Sequence, residues 1–151
     1  MKLREATADD IPELVEMYID LVTIAYPTRR IAPQIIFYEI VVNWIGKNHR
    51  VMVTYNDIEI TGFSYTGYNN AGGLTETMLD AEITYVKEQY RKTRAAYLIY
   101  NDVFEFAIES NMGIMSTSTP ESSPIVSKRF GAEHTFNHWE VPTEHINNLN
   151  K

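Results

Sequence analysis

The sequence predicts an α/β fold: a single domain with a mixed, largely antiparallel central sheet and helices on both faces. Three observations lead there. Residues 50–55 and 59–68 read as strands joined by a short turn, and 77–86 reads as another strand with alternating faces, the pattern of a strand meander. Segments with helical spacing of apolar residues precede these runs, over 7–25 and 34–47, and follow them from about 93 onward. The chain is 151 residues long and carries no internal repeat, low-complexity tract or linker-length loop, which fits one domain. Hairpin connections first and a crossover later give a mixed sheet that needs helices on both faces.

Taken in order, residues 2–6 alternate and read as a first strand. Thr7 then reads as a helix N-cap, with Asp10 three residues on, Pro12 in the first turn, and Asp9 and Asp10 at the positive end of the helix dipole. Ile11, Leu14, Val15, Tyr18, Val22 and Ala25 keep helical spacing, and Pro27 stops the helix. Pro33 opens the next segment, 34–47. Its length and proline start favour a helix over the strand its β-branched residues suggest. It is apolar nearly all round, which suits a lid or a partner surface better than an ordinary outer helix. Residues 50–55 and 59–68 form a hairpin across an Asn56-Asp57 turn. The strand over 77–86 puts Met78, Asp80, Glu82 and Thr84 on one face and Leu79, Ala81, Ile83 and Tyr85 on the other. A polar stretch, 87–93, leads into a helix whose apolar stripe is Ala96, Ile99, Val103, Phe106 and Ala107, with Asn111 as C-cap. A short strand over 113–117, a helix over 124–130 stopped by Gly131, and a last strand over 134–141 complete the order.

Composition excludes several classes. With 0 Cys there are no disulfides, thiolate metal sites or cysteine nucleophiles. The balance of 20 Asp+Glu against 13 Lys+Arg, net −7, argues against a nucleic-acid binder. The N-terminus has an acidic residue where the apolar core of a leader would begin, and no apolar run approaches a membrane span. These readings point to a cytoplasmic protein with no membrane partner. His49, His134, His138 and His145 lack metal-ligand spacing, so no metal is expected. Gly72-Gly73 is not followed by the Lys-Ser/Thr of a nucleotide P-loop, and no Gly-x-Ser-x-Gly elbow is present.

The chemistry concentrates in residues 82–99. A strand ends at Val86, a short polar loop follows, and a helix opens with the small residues Ala95 and Ala96 in its first turn. Backbone N–H groups at a helix N-terminus attract anions, and small side chains let a phosphate reach them. Arg91, Lys92 and Arg94 put three cations at this point of an otherwise acidic chain. Cations there oppose the helix dipole unless a polyanion joins them.

That pattern resembles the acetyl-CoA pyrophosphate loop of GNAT-type N-acetyltransferases, written Gln/Arg-x-x-Gly-x-Gly/Ala, here Arg91-Lys92-Thr93-Arg94-Ala95-Ala96. Val86-Lys87-Glu88-Gln89-Tyr90 resembles the family's V-x-P-x-Y-R lead-in. Leu3-Arg4-Glu5-Ala6-Thr7-Ala8-Asp9-Asp10-Ile11-Pro12 resembles its first strand and helix, and Val126-Ser127-Lys128-Arg129-Phe130-Gly131-Ala132 its Y-E-K-L-G-F element. The resemblance spans nearly the whole chain. It implies acetyl transfer from acetyl-CoA, as co-substrate, to a primary amine of a small molecule or protein. The pyrophosphate would sit on Arg91, Lys92, Thr93, Arg94, Ala95 and Ala96. The pantetheine arm would pair with strand backbone from about Ile83, at Thr84, Tyr85 and Val86, in a splay between the fourth and fifth strands. A backbone N–H near Val86 would polarise the thioester carbonyl, and Glu82 would act as general base, directly or through water. Asp80 and Glu76 share the Glu82 face and would attract a cationic amine, and Ser122 and Ser123 would lie near the cofactor arm.

Two departures stand out. Arg94 replaces the loop's first glycine, as in small phage-encoded members, which implies a viral source and a host-cytoplasmic location. Ser127 replaces the tyrosine that protonates the leaving thiolate, so water or another tyrosine must serve. The rival reading is a catalytically reduced module of the same fold acting through protein–protein contact. The apolar 35–45 segment would serve a substrate lid or a homodimer in either case.

Overall fold

In the computed structural model, residues 1–44, 49–69 and 78–116 are described; for Asn43, Asn69, Met78, Glu82, Met115 and Ser116 this covers the backbone alone. They form β1 (Lys2–Glu5), α1 (Ile11–Ala25), α2 (Pro33–Glu39), β2 (Arg50–Tyr55), β3 (Ile60–Asn69), β4 (Met78–Val86), α3 (Ala95–Ser110) and β5 (Gly113–Ser116). The helix expected over 124–130, the strand over 134–141, and Glu76, Ser122, Ser123 and Ser127 lie outside the described residues. The chain divides into two compact units, Met1–Thr117 and Ser118–Lys151, and every described residue belongs to the first.

The sheet order is β1-β2-β3-β4-β5. The first three pairings are antiparallel and β4–β5 is parallel. A parallel neighbour requires a crossover, and α3 supplies it. Alternation along the strands separates two apolar layers. Val51, Val53, Phe63, Tyr65 and Tyr85 pack with Leu14 and Met17 of α1 and Ile36 of α2. Val86 packs on the other side with Ala95 and Ile99 of α3. The mixed, largely antiparallel sheet with helices on both faces is therefore present.

Local signals set the helix ends. The Thr7 N–H donates to Asp10 Oδ2 at 2.7 Å, and Arg4 grips the same carboxylate with Nη1 and Nη2 at 2.6 and 2.7 Å. The Arg4 bond chiefly, with Thr7 adding to it, holds the Asp10 carboxyl below its ordinary range. Asn111 ends α3 in the left-handed conformation (φ 53°, ψ 47°), which asparagine tolerates better than most residues.

The 34–47 segment differs from the uniform helix expected. α2 ends at Glu39, and Ile40–Trp44 is a π-helical turn. Ile36, Ile40 and Trp44, spaced by four, are all buried. Steps of four residues drift around an ordinary helix, and the wider π turn keeps Trp44 on the core side. The same segment leaves Ile35, Phe37 and Tyr38 exposed. Among the described residues no helix is long and apolar enough to cross a membrane.

Candidate functional site

The candidate site lies at the end of β4 and the start of α3. Antiparallel pairing with β3 holds Thr84, Tyr85 and Val86 opposite Ser64, Phe63 and Gly62. On its other edge, β4 pairs with β5 from Met78↔Gly113 to Ala81↔Ser116 among the described residues. Gly62 allows a close approach here. A Cβ on it would meet the Tyr85 carbonyl oxygen at 2.7 Å and the Val86 Cγ2 at 3.0 Å. Gly62→Ala should therefore push the end of β4 outward and destabilise the fold by about 1–3 kcal/mol. A thermal melt unchanged from wild type would show that β4 has room to spare.

After β4 comes a short 3-10 turn, Glu88–Tyr90. Arg91, Lys92, Thr93 and Arg94 follow, all exposed, before α3 begins at Ala95. The side chain of Arg91 turns back, its Nε donating to the Val86 carbonyl at 3.2 Å. Thr93 Oγ1 donates to the Tyr90 carbonyl at 2.7 Å and accepts the Ala95 N–H at 3.3 Å. The first bond within α3 runs from the Leu98 N–H to the Arg94 carbonyl. Ala95 is fully buried and Ala96 half-buried, so the first two helical positions carry only methyl side chains. Arg94, in the position where the GNAT loop has a glycine, has φ −75° and ψ −6°. That is ordinary right-handed backbone, so the arginine carries no conformational penalty.

A cleft of ≈ 460 Å³ opens beside this loop, between α1 (Asp20, Thr23, Ile24) and Tyr85, Lys87, Glu88, Gln89 and Arg91. Burial, and then the nearby Asp20 charge, push the Tyr85 phenol above its ordinary range, against the pull of Arg91 and Lys87. Tyr85 therefore stays in its neutral phenol form at physiological pH.

The structure thus places Thr84, Tyr85, Val86 and the 91–96 stretch along one continuous path. Glu82 lies within β4 four residues before Val86; its side chain is outside the described part. Among the described residues no group of His, Cys, Asp or Glu could hold a metal ion. Sequence reasoning missed the polar network beneath the loop. Lys87 Nζ donates to Glu13 Oε1 at 2.6 Å and to Glu59 Oε2 at 2.5 Å. The Tyr90 hydroxyl donates to Glu59 Oε1 at 2.8 Å. Glu13 lies 74 residues from Lys87 in the chain, and pairs at that distance leave no local periodic signal.

No protein-family model and no curated protein sequence matches the chain. Solved structures do. A predicted acetyltransferase from Clostridium acetobutylicum, solved with acetyl-CoA, superposes with a TM-score of 0.75 at 15% identity, covering 95% of this chain and 97% of that one. A Trypanosoma brucei acetyltransferase gives 0.70 at 14% identity, covering 93% and 98%. An integron cassette protein from V. cholerae gives 0.72 at 13% identity, covering 99% and 97%. The phage source suggested by the glycine-poor loop gains no support from these structures. At such identities the likeness establishes architecture, and the fold of this chain is that of the GNAT-type acetyltransferases.

Proposed function

We propose that the protein transfers an acetyl group from acetyl-CoA to a primary amine. The observation that carries this reading is the exposed trio Arg91, Lys92 and Arg94 at a helix start made of alanines, directly after β4 in a GNAT-like fold. Backbone N–H groups and guanidinium groups together suit a pyrophosphate. Acetyl-CoA supplies the acyl thioester. The strand backbone of Thr84, Tyr85 and Val86 would hold the pantetheine arm, and Glu82 would take the proton from the attacking amine. The new bond is between the amine nitrogen and the carbonyl carbon; the carbon–sulfur bond breaks, and the thiolate leaves with a proton. With Ser127 in place of the usual tyrosine, water or another tyrosine would supply that proton.

The test is a thermal-shift titration with CoA and acetyl-CoA. A ligand at about 100 times its Kd stabilises by roughly 2.7 kcal/mol, several degrees for this length. Arg91→Ala with Arg94→Ala should weaken CoA binding by roughly tenfold or more, since hydrogen bonds to charged groups contribute about 1.5–3 kcal/mol each. Glu82→Gln should cut turnover and leave CoA affinity intact. An unchanged CoA dissociation constant in the double arginine variant would sink the loop assignment.

A second reading is favoured by exposed Ile35, Phe37 and Tyr38: a module of the same fold acting through contact with a protein, a second copy included. Absence of any shift with millimolar CoA would select it.

A further inference from the structure

The 91–96 loop is tied to the rest of the protein through its underside. Lys87 bridges Glu13 on α1 and Glu59 on the turn between β2 and β3. The Tyr90 hydroxyl donates to the second oxygen of Glu59 and accepts from Asn56 Nδ2 at 3.2 Å. Glu13 Oε1 also accepts the Ile60 N–H at 3.1 Å. Backbone bonds carry this anchoring forward. The Lys87 N–H donates to the Thr61 carbonyl at 3.0 Å, the Tyr90 N–H to the Lys87 carbonyl at 2.8 Å, and the Thr93 N–H to the Tyr90 carbonyl at 3.0 Å. Thr93 Oγ1 then receives the Ala95 N–H. An unbroken chain of hydrogen bonds therefore runs from Glu59 into the first turn of α3.

Stability alone is a poor reason for this arrangement. Fixing two glutamates and a lysine, each still partly exposed (17–31% of the side chain), costs rotamer entropy that surface ion pairs barely recover. The groups are nevertheless held charged. Bonding to Lys87, then to Tyr90, keeps the Glu59 carboxyl below its ordinary range. Burial pulls the Lys87 ammonium down, but its two carboxylates more than offset this and hold it above its ordinary value.

We propose that Lys87, Glu13, Glu59 and Tyr90 are positioning residues: without touching ligand, they set the backbone of residues 91–96 to receive a pyrophosphate. This rests on the acetyl-CoA reading above. It makes a prediction opposite in sign to simple electrostatics. Glu59→Gln removes a negative charge near an anion site, so a through-space effect would tighten CoA binding. Loss of positioning weakens it. Tyr90→Phe changes no charge and removes only the hydroxyl between Glu59 and Asn56.

The experiment measures Kd for CoA and for pantetheine, which carries no phosphate, by calorimetry well below each variant's melting midpoint. Both variants should bind CoA about fivefold to tenfold more weakly, the scale of coupling through connected networks, and bind pantetheine as wild type does. A purely structural contribution would lower the midpoint and leave both constants alone, overturning the proposal. Tighter CoA binding by Glu59→Gln, or an equal loss for pantetheine, would overturn it too. Wild-type protein that binds no CoA overturns the acetyl-CoA reading and the positioning role together; wild-type binding with unaltered variants overturns the positioning role alone.

Discussion

Trp44→Ala is expected to destabilise the protein by about 3–5 kcal/mol and to lower its melting midpoint by on the order of 10 °C. Trp44 is 2% exposed. Its ring stacks on Tyr65 at 4.8 Å between centroids and meets Tyr18 edge-on at 5.1 Å and Phe63 at 5.9 Å. It therefore joins the π turn to α1 and to β3. Truncation removes that area and leaves a void that rigid sheet residues cannot close. Trp44→Phe should recover a substantial part, because an aromatic face remains against Tyr65. Denaturant unfolding followed by circular dichroism measures both. A loss under about 1 kcal/mol would mean that the segment is held by something other than this cluster.

Arg50→Met should cost about 2–3 kcal/mol at neutral pH, below the full figure for a buried pair because Arg50 is partly exposed. Arg50 Nη2 meets Asp102 Oδ1 at 2.7 Å, with side chains 30% and 11% exposed, and its guanidinium lies over the Phe106 ring at 4.7 Å. The variant leaves the Asp102 carboxylate facing the sheet without its cation. Burial already holds this carboxyl above its ordinary value of 3.8, opposed by Arg50 and reinforced by Glu105 and Glu109. A folded pKa above the unfolded one means that the folded state binds the proton more tightly. Stability from this group is therefore complete below the unfolded pKa and is lost as pH rises through the folded one. Without Arg50 the folded pKa climbs further. The deficit of the variant relative to wild type should accordingly shrink when the unfolding is repeated at about pH 5. Adding Asp102→Asn to Arg50→Met should restore most of the neutral-pH loss. A deficit that ignores pH would assign the cost to Phe106 packing instead.

These cases mark where sequence reasoning stops. The limits of β2 were readable because the apolar run Val51-Met52-Val53 lies between Arg50 and the Asn56-Asp57 turn. Thr7 and Asp10 marked a capped turn, although it is a 3-10 turn over Ala8–Asp10 and α1 begins after it at Ile11; the end of α3 was readable from Asn111, because capping chemistry is local. The turn between β4 and α3 was readable because the stretch after Val86 is polar and ends in two alanines. Nothing local marks Asp102 as buried, since the arginine that pairs with it is 52 positions away. The π turn was missed because it is selected by Trp44 reaching Tyr65, a tertiary contact that overrides helical periodicity. The Lys87 network eluded the sequence for the same reason as Asp102.

Arg94 has a thermodynamic consequence for whatever docks above it. Glycine surrenders more backbone freedom on ordering than any other residue. A loop with arginine at φ −75°, followed by two alanines, has already given up much of that freedom before any ligand arrives. An anion seated on residues 91–96 thus freezes less motion than it would on a glycine-rich loop, and association should show a smaller entropic penalty. Lower backbone freedom would also narrow choice, favouring ligands whose phosphate spacing already fits.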